Sequence, residues 1–311
     1  MKGLLVITGP TATGKSDLGV IMAERLDGEI VSADSMQIYR GMRIGTAAPT
    51  REEMRGVPHH LIGTVDPTEA YSAARYVEEA SACVDDILAR GKLPIVVGGT
   101  GLYIDSLLCS RIFPGGDGAL RRRFSAQYDE LGGEAMLAML AEADPESAAR
   151  LAANDKKRIV RALEVYHSTG KTVTQHNRET AQLPPRYLYC KIALDYADRN
   201  VLYGRIDARV DEMLRQGLVN EVRSLLESGL EENSTAMQAI GYKELIPALR
   251  GECSVADAAE LIKRESRRYA KRQLSWLRSR RDADWIIWEK NRDYAKAALI
   301  STQLLEEKGI I

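Results

Sequence analysis

The eight residues Gly9-Pro10-Thr11-Ala12-Thr13-Gly14-Lys15-Ser16 match G-x-x-x-x-G-K-[ST] at every position. An apolar run at 4–7, short enough for a buried strand, precedes them. A segment at 15–26 with Leu18, Ile21, Met22 and Leu26 on one helical face follows. Strand, glycine-rich turn and helix in that order commit the chain to parallel strands joined by crossover helices. Small residues let the backbone N–H groups of the turn converge on phosphate oxygens, and the helix N-terminus adds positive potential. Lys15 supplies a point charge and Ser16 a hydroxyl ligand for Mg2+. The turn specifies a polyphosphate but not which one, because a diphosphate ester satisfies the same donors as a nucleotide.

The alternation continues along the chain. Residues 29–33 read as a strand that delivers Asp34 at its C-terminal end, and 70–90 as a long helix stopped by Gly91. Residues 94–97 read as a third buried strand, ending in Gly98-Gly99-Thr100-Gly101. This predicts an α/β fold, a doubly wound parallel sheet of the P-loop NTPase-like kind. Near Phe113 the pattern changes. Pro114-Gly115-Gly116-Asp117-Gly118 signals a linker, and 120–180 offers helices without a strand, one of them over 155–168 with Asn154 as its cap and Gly170 as its stop. Residues 113–185 are therefore read as an α-helical insertion, closed by Pro184-Pro185, in a core made of 1–112 and 186–311. Residues 187–194 then return as a strand, and Asp198 caps a helix over 200–216. Ser254 and Asp257 resemble a capping box before a helix through Arg280. A last strand at 285–288 and an amphipathic helix at 294–307 complete the core.

Four cysteines (Cys83, Cys109, Cys190, Cys253) lie far apart. That argues against a disulfide scaffold or a cysteine zinc site and fits a reducing cytoplasm. No run approaches the roughly 18 apolar residues of a membrane span, and no signal-peptide core is present, so a cytoplasmic protein without membrane contact is expected. The net charge of −1 hides a local asymmetry: between Lys263 and Arg281 there are nine basic residues and one acid, Glu265. On a helix, Arg264, Arg268, Lys271, Ser275 and Arg278 advance by 4, 3, 4 and 3 and form one stripe. Arg121-Arg122-Arg123 and Lys156-Lys157-Arg158 with Arg161 add two basic clusters in the insertion. Three such sites suit a folded RNA better than a small metabolite, with phosphate contacts that position it.

Asp34 is the only strand-end acid in the N-terminal third; the strand at 94–97 ends in glycine, not in the aspartate with which nucleotide hydrolases position Mg2+. Strand C-termini in such a sheet border the ligand crevice, so Asp34 belongs near the phosphate turn, as a general base or a water-mediated metal ligand. His59-His60 lack a helical metal spacing and read as structural or pocket-lining. Trp285 and Trp288 read as packing residues.

Several words then occur in order: the phosphate turn; Asp34-Ser35-Met36-Gln37-Ile38-Tyr39-Arg40-Gly41; Ile44-Gly45-Thr46-Ala47-Ala48-Pro49; Pro58-His59-His60-Leu61; and Gly98-Gly99-Thr100-Gly101-Leu102-Tyr103. They continue with Lys157-Arg158-Ile159-Val160-Arg161-Ala162-Leu163-Glu164-Val165-Tyr166, Ile240-Gly241-Tyr242-Lys243-Glu244, and Lys271-Arg272-Gln273-Leu274-Ser275-Trp276-Leu277-Arg278. Together they resemble the tRNA dimethylallyltransferase (IPP transferase) family over nearly the whole chain. Ala48 departs from the lysine of many relatives and lies outside the inferred chemistry. The resemblance implies transfer of a dimethylallyl group from dimethylallyl diphosphate to the exocyclic N6 amine of the adenine 3′-adjacent to the anticodon in tRNA, with Mg2+ as cofactor and diphosphate released.

The resemblance also assigns residues. Gly9, Pro10, Thr11, Ala12, Thr13, Gly14, Lys15 and Ser16 hold the diphosphate, with Arg205 as a further phosphate clamp and Asp34 as the base. Contact with the tRNA anticodon stem-loop falls to Asp34, Ser35, Met36, Gln37 and Thr100, to Arg121, and to Lys157, Arg158, Ile159, Val160 and Arg161. It falls as well to Gln238, Ala239, Ile240, Gly241, Tyr242 and Lys243, and to Lys271, Arg272, Gln273, Leu274, Ser275, Trp276, Leu277 and Arg278. The amide of Gln37 suits the edge of an adenine. A monomer is expected. The competing readings are a P-loop small-molecule kinase, a prenyltransferase of free adenine nucleotides, and a non-enzymatic RNA-binding protein. The insertion and the basic clusters favour tRNA over a free nucleotide, and intact Lys15, Ser16 and Asp34 count against a mere RNA binder.

Overall fold

The structure, a computed structural model, describes residues 3–109 and 113–311; the expected boundary at 112 lies outside the described residues. Two compact units are present, Met1–Leu108 with Tyr187–Ile311, and Cys109–Arg186. In chain order the first unit runs β1 (Gly3–Thr8), α1 (Lys15–Leu26), β2 (Gly28–Ser32), α2 (Arg51–Met54), β3 (His59–His60), α3 (Ala73–Ala89), β4 (Leu93–Gly98) and α4 (Gly101–Leu108). The second unit follows with α5 (Gly118–Leu131), α6 (Gly133–Ala143), α7 (Pro145–Ala148), α8 (Lys156–Thr169) and α9 (Val173–Gln182). The first then resumes with β5 (Leu188–Tyr196), α10 (Arg199–Arg215), α11 (Leu218–Glu227), α12 (Ile246–Leu249), α13 (Val255–Arg280), β6 (Asp284–Trp288) and α14 (Tyr294–Glu307).

The six strands form one sheet, β3-β2-β4-β1-β5-β6, and every pair is parallel. Alternate side chains of a strand point to opposite faces, and here both faces are covered. Leu4 and Val6 join Val31, Val96 and the buried side of α3 (Tyr76, Ala80, Val84, Ile87). Leu5 and Ile7 join Ile30, Ile95 and Val97, with Leu18 and Met22 of α1 and Ala297 of α14. Burial on both sides is why the strands read as unbroken apolar runs. Helix α1 lies close on the sheet: a Cβ at Gly19 would stand 2.8 Å from Val97 Cγ2.

Local chemistry sets most helix ends. Ser254 Oγ accepts from Asp257 N (3.0 Å) and the Asp257 carboxylate accepts from Ser254 N (3.2 Å), the reciprocal box expected from the sequence. Helix α3 begins later than expected, where Ser72 Oγ accepts from Arg75 N. Helix α8 is capped by Asp155, not Asn154; the Asp155 carboxylate accepts from Arg158 N at 3.3 Å. Strand β3, two residues paired with Ile30 and Val31, is too short to show a period, and α11 was not anticipated.

The second unit has its own core, built around Phe124, Met136, Leu140, Ile159 and Leu163. At its edge Glu164, fully buried, accepts from Arg121 Nε (2.8 Å), Arg161 Nη1 (2.7 Å) and Asp117 N (3.0 Å). A buried carboxylate is tolerated when it is paired and hydrogen-bonded in this way.

Candidate active site at the C-terminal edge of the sheet

Because β1, β2 and β4 run parallel, their C-terminal ends deliver the phosphate turn, Asp34 and Gly98-Gly99 to one edge. They open on a cavity of about 890 Å³ lined entirely by the first unit, within the size range of small-molecule sites. Gly14 caps the start of α1 with φ 85°, a left-handed conformation that side chains rarely adopt. The Pro10 carbonyl accepts from Thr13 Oγ1 and from Lys15 Nζ, both at 2.8 Å, and Trp288 Nε1 donates to Thr13 O at 2.9 Å. From α13, Gln273 bridges two loops: its Oε1 accepts from Thr11 N (3.0 Å) and its Nε2 donates to Gly99 O (2.9 Å). A Cβ at Gly99 would lie 2.2 Å from that Nε2, so the approach needs glycine.

The cavity gathers cations. Lys15, Arg209 of α10 and Arg292 all line it. Burial holds the Lys15 ammonium down to about 7; Arg209 and then Arg292 push the same way, and Asp34 opposes them. Arg209 is likewise held below its ordinary value, first by burial. Asp34 Oδ1 accepts from Met36 N (2.9 Å) and Gln37 N (3.3 Å), an Asx turn, and Oδ2 accepts no hydrogen bond among the described residues. One oxygen therefore sets the turn and the other is available to a substrate proton. Thr100 Oγ1 accepts from Ser35 N at 3.1 Å and braces the same turn. Met36, Ile44, Val210, Met213 and Ile240 make the wall apolar.

Residues 43–45 are held in that wall by Glu221 of α11. Its carboxylate accepts from the backbone of Arg43 (3.0 Å), Ile44 (2.8 Å) and Gly45 (3.1 Å) and from Tyr242 Oη (2.6 Å). Tyr269 of α13 also lines the cavity, and burial pushes its hydroxyl up to about 12, so it stays a neutral donor.

An anion in the turn favours charged Lys15 and should pull a proton from solvent. At pH 8 a group with pKa about 7 is mostly neutral, so pyrophosphate binding should take up about 0.9 proton through Lys15, and almost none at pH 6. Calorimetry in buffers of different ionisation enthalpy measures this, with Lys15→Met as the subtraction; equal uptake in that variant would sink the assignment.

Against known proteins, a family model described as IPP transferase matches residues 37–280, and one described as isopentenyl transferase matches 2–66. The chain belongs to the IPP transferase family. It is 47% identical over 288 residues to a tRNA dimethylallyltransferase of Acetivibrio thermocellus, 92% of each chain, and 47% identical over 289 residues to tRNA dimethylallyltransferase 2 of Geotalea uraniireducens, 93% of each. The full-length tRNA isopentenylpyrophosphate transferase of Bacillus halodurans has a similar structure, with TM-score 0.73 and 38% identity, covering 99% of this chain and 98% of that one. A eukaryotic dimethylallyltransferase acting on tRNA gives TM-score 0.85 and 29% identity, covering 99% and 80%.

In this family member several residues singled out from the sequence take other positions. Arg205 does not line the cavity. Its guanidinium lies 5.3 Å from the centre of the Tyr196 ring and its Nη2 donates to Lys290 O (3.1 Å). Arg209, one helical turn on, faces the phosphate turn instead; residues four apart share a helix face, so spacing could not choose between them. Gln37 is not free to read a base edge, because its Nε2 donates to Thr46 O (3.1 Å) and Ala47 O (3.2 Å) and its Oε1 accepts from Ser32 Oγ (3.3 Å). The side chains of Ile159 and Val160 are buried in the insertion core, and those of Tyr242, Leu274 and Leu277 in the first unit; Ala239 and Gln273 have little exposed surface but line the cavity. On α8 and α13 such residues sit between exposed neighbours because a helix turns every third or fourth residue inward. Arg121 and Arg161 clamp Glu164. Trp276 Nε1 donates to Asp105 Oδ2 at 2.9 Å.

Other residues singled out from the sequence lie on the cavity or on the surface. Asp34, Ser35, Met36 and Gln37 line the cavity, as do Gln238, Ile240, Lys243 and Arg272. The α13 stripe of Arg264, Arg268, Lys271, Ser275 and Arg278 is exposed throughout. Part of its charge is compensated: Arg264 and Arg268 meet Glu265, and Arg278 meets Asp195 at 3.3 Å. Lys271 takes no ion pair among the described residues. His59 lines the cavity, and His60 Nε2 lies 2.9 Å from Glu29 Oε2. No helix among the described residues is long and apolar enough to cross a membrane.

Proposed function

We propose that dimethylallyl diphosphate enters this cavity with its diphosphate in the turn from Gly9 to Ser16, and that its dimethylallyl group passes to N6 of the adenine 3′-adjacent to the anticodon of a tRNA. The observation that carries the reading is that the phosphate turn and the uncommitted oxygen of Asp34 open on the same partly apolar cavity. An adenine amine is a weak nucleophile because its lone pair is delocalised into the ring. As the N6–C1 bond forms, Asp34 Oδ2 takes the amine proton; as the C1–O bond breaks, the electron pair leaves on diphosphate. Lys15, Arg209 and the N–H groups of the turn face the oxygens where that charge accumulates.

The residues present fit Mg2+. The Ser16 hydroxyl lines the cavity with no hydrogen bond among the described residues, and Asp34, on the same cavity, would meet the ion only through a water, which leaves Oδ2 to the proton. Among the described residues no cluster of three or more His, Cys, Asp or Glu forms a cage, which suits an ion held mostly by substrate oxygens and water. When bound, such an ion neutralises charge on the diphosphate.

The direct test is incubation with labelled dimethylallyl diphosphate, Mg2+ and unmodified tRNA, followed by nucleoside analysis. Label in N6-dimethylallyladenosine supports the reading; phosphoryl transfer from ATP without prenylation overturns it.

On the RNA side, Lys271, exposed and without an ion pair among the described residues, contacts a phosphate. Lys271→Ala should lower the slope of log affinity against log salt by about 1. Arg278→Ala should do less, since Arg278 is already paired with Asp195. A filter-binding salt series measures both, and an unchanged slope for Lys271→Ala would remove that contact.

A further inference from the structure

An arginine near the C-terminus reaches back to the phosphate turn. Arg292 lies between β6 and α14, outside the segments matched by the family models. Its Nη2 donates to Ala12 O (2.5 Å), its Nε to Tyr196 Oη (2.7 Å) and its Nη1 to Tyr294 Oη (3.2 Å). A Cβ at Gly14 would fall 2.9 Å from Arg292 Cδ and 3.0 Å from Nε, so the side chain lies across the second glycine of the turn, beside Lys15.

Arg292 is held mainly by neutral groups, a carbonyl and two tyrosine hydroxyls. Arg292 is only 20% exposed, and its one ion pair among the described residues is a long one, Nη1 to Asp17 Oδ2 at 3.6 Å, on an exposed carboxylate oxygen that also accepts from Tyr294 Oη. Lys15, Arg209 and Arg292 share the cavity with Asp34 and Asp17; of its other carboxylates, Glu221 is taken up by the backbone of residues 43–45. Gathering like charges out of water is unfavourable unless an anion joins them. Three of the five N–H donors of a guanidinium are engaged, which leaves two. Tyr196 and Tyr294 hold the plane of the fork; Arg205, stacked on the Tyr196 ring, packs behind the first of them.

We propose that Arg292 is a third cationic arm of the phosphate cradle, binding the diphosphate alongside Lys15 and Arg209. This rests on the reading that the cradle takes a diphosphate. A planar fork matches two oxygens of one phosphate group, which a point charge such as Lys15 cannot do. Its contribution grows as the C1–O bond breaks and negative charge collects on the leaving group. Tyr196 and Tyr294 are positioning residues that act through Arg292.

The test titrates inorganic pyrophosphate, in Mg2+ buffer, into the full chain. Arg292→Gln should weaken binding by about thirtyfold or more. Arg292→Lys, which keeps the charge but loses the fork, should recover part of that loss, and tRNA affinity should stay within about twofold in both. Pyrophosphate bound by Arg292→Gln as tightly as by wild type overturns the proposal alone. Equal losses in the Gln and Lys variants, with both melting at lower temperature, also overturn it, since Arg292 would then only brace the loop. A wild-type chain that binds tRNA but not pyrophosphate overturns the diphosphate reading itself.

Discussion

Asp34→Asn should slow single-turnover prenyl transfer by about 10²–10⁴-fold, the usual contribution of a general base, while tRNA affinity stays within a few-fold. The choice of asparagine matters. Asp34 Oδ1 accepts from Met36 N and Gln37 N, and an asparagine oxygen can keep both bonds, so the turn survives and only the proton acceptor is lost. Asp34→Ala removes the turn as well. It should lose the same activity and also lower the melting temperature, with looser binding of residues 34–37 to the acceptor. Rapid-quench measurement of the chemical step on preformed enzyme–tRNA complex separates the two. Wild-type rates in Asp34→Asn would remove Asp34 as the base.

The second large effect concerns the leaving group. Lys15→Met should lower kcat by about 10²–10³-fold, the typical cost of losing one aimed donor at a developing anion. The loss stays finite because the backbone of the turn, Arg209 and Arg292 remain. The pH dependence gives a separate signature. Free Lys15 titrates near 7, and only its protonated form attracts the donor. In the wild type, kcat/KM for dimethylallyl diphosphate should therefore fall about tenfold per pH unit above 7 from this group. At saturation the bound diphosphate keeps Lys15 charged, and kcat should not show that fall. In Lys15→Met the slope should vanish. A slope that persists in the variant belongs to another group.

Much of the architecture was legible along the chain. The turn from Gly9 to Ser16, the strand ends at Asp34 and Gly98, the Ser254–Asp257 box and the exposed α13 stripe depend on short-range rules of spacing, capping and backbone freedom. The two-residue β3 carries no such pattern, because it exists only by pairing with Ile30 and Val31.

The chemistry of the site divides along the same line. Residue types and their order specified a phosphate cradle, a carboxylate at a strand end and a basic helix face. Which side chains meet was decided by folding. Gln273 reaches Thr11 across 262 positions and Arg292 reaches Ala12 across 280. Glu221 gathers three N–H groups of a loop more than 170 residues away. Arg209 instead of Arg205 faces the cavity because of how α10 sits on the sheet, and Arg121 turns to Glu164 because a buried carboxylate needs a cation. A sequence records local preference; the pairing of charges and donors at a distance is a property of the packed chain, where burial raises the cost of every unmatched group.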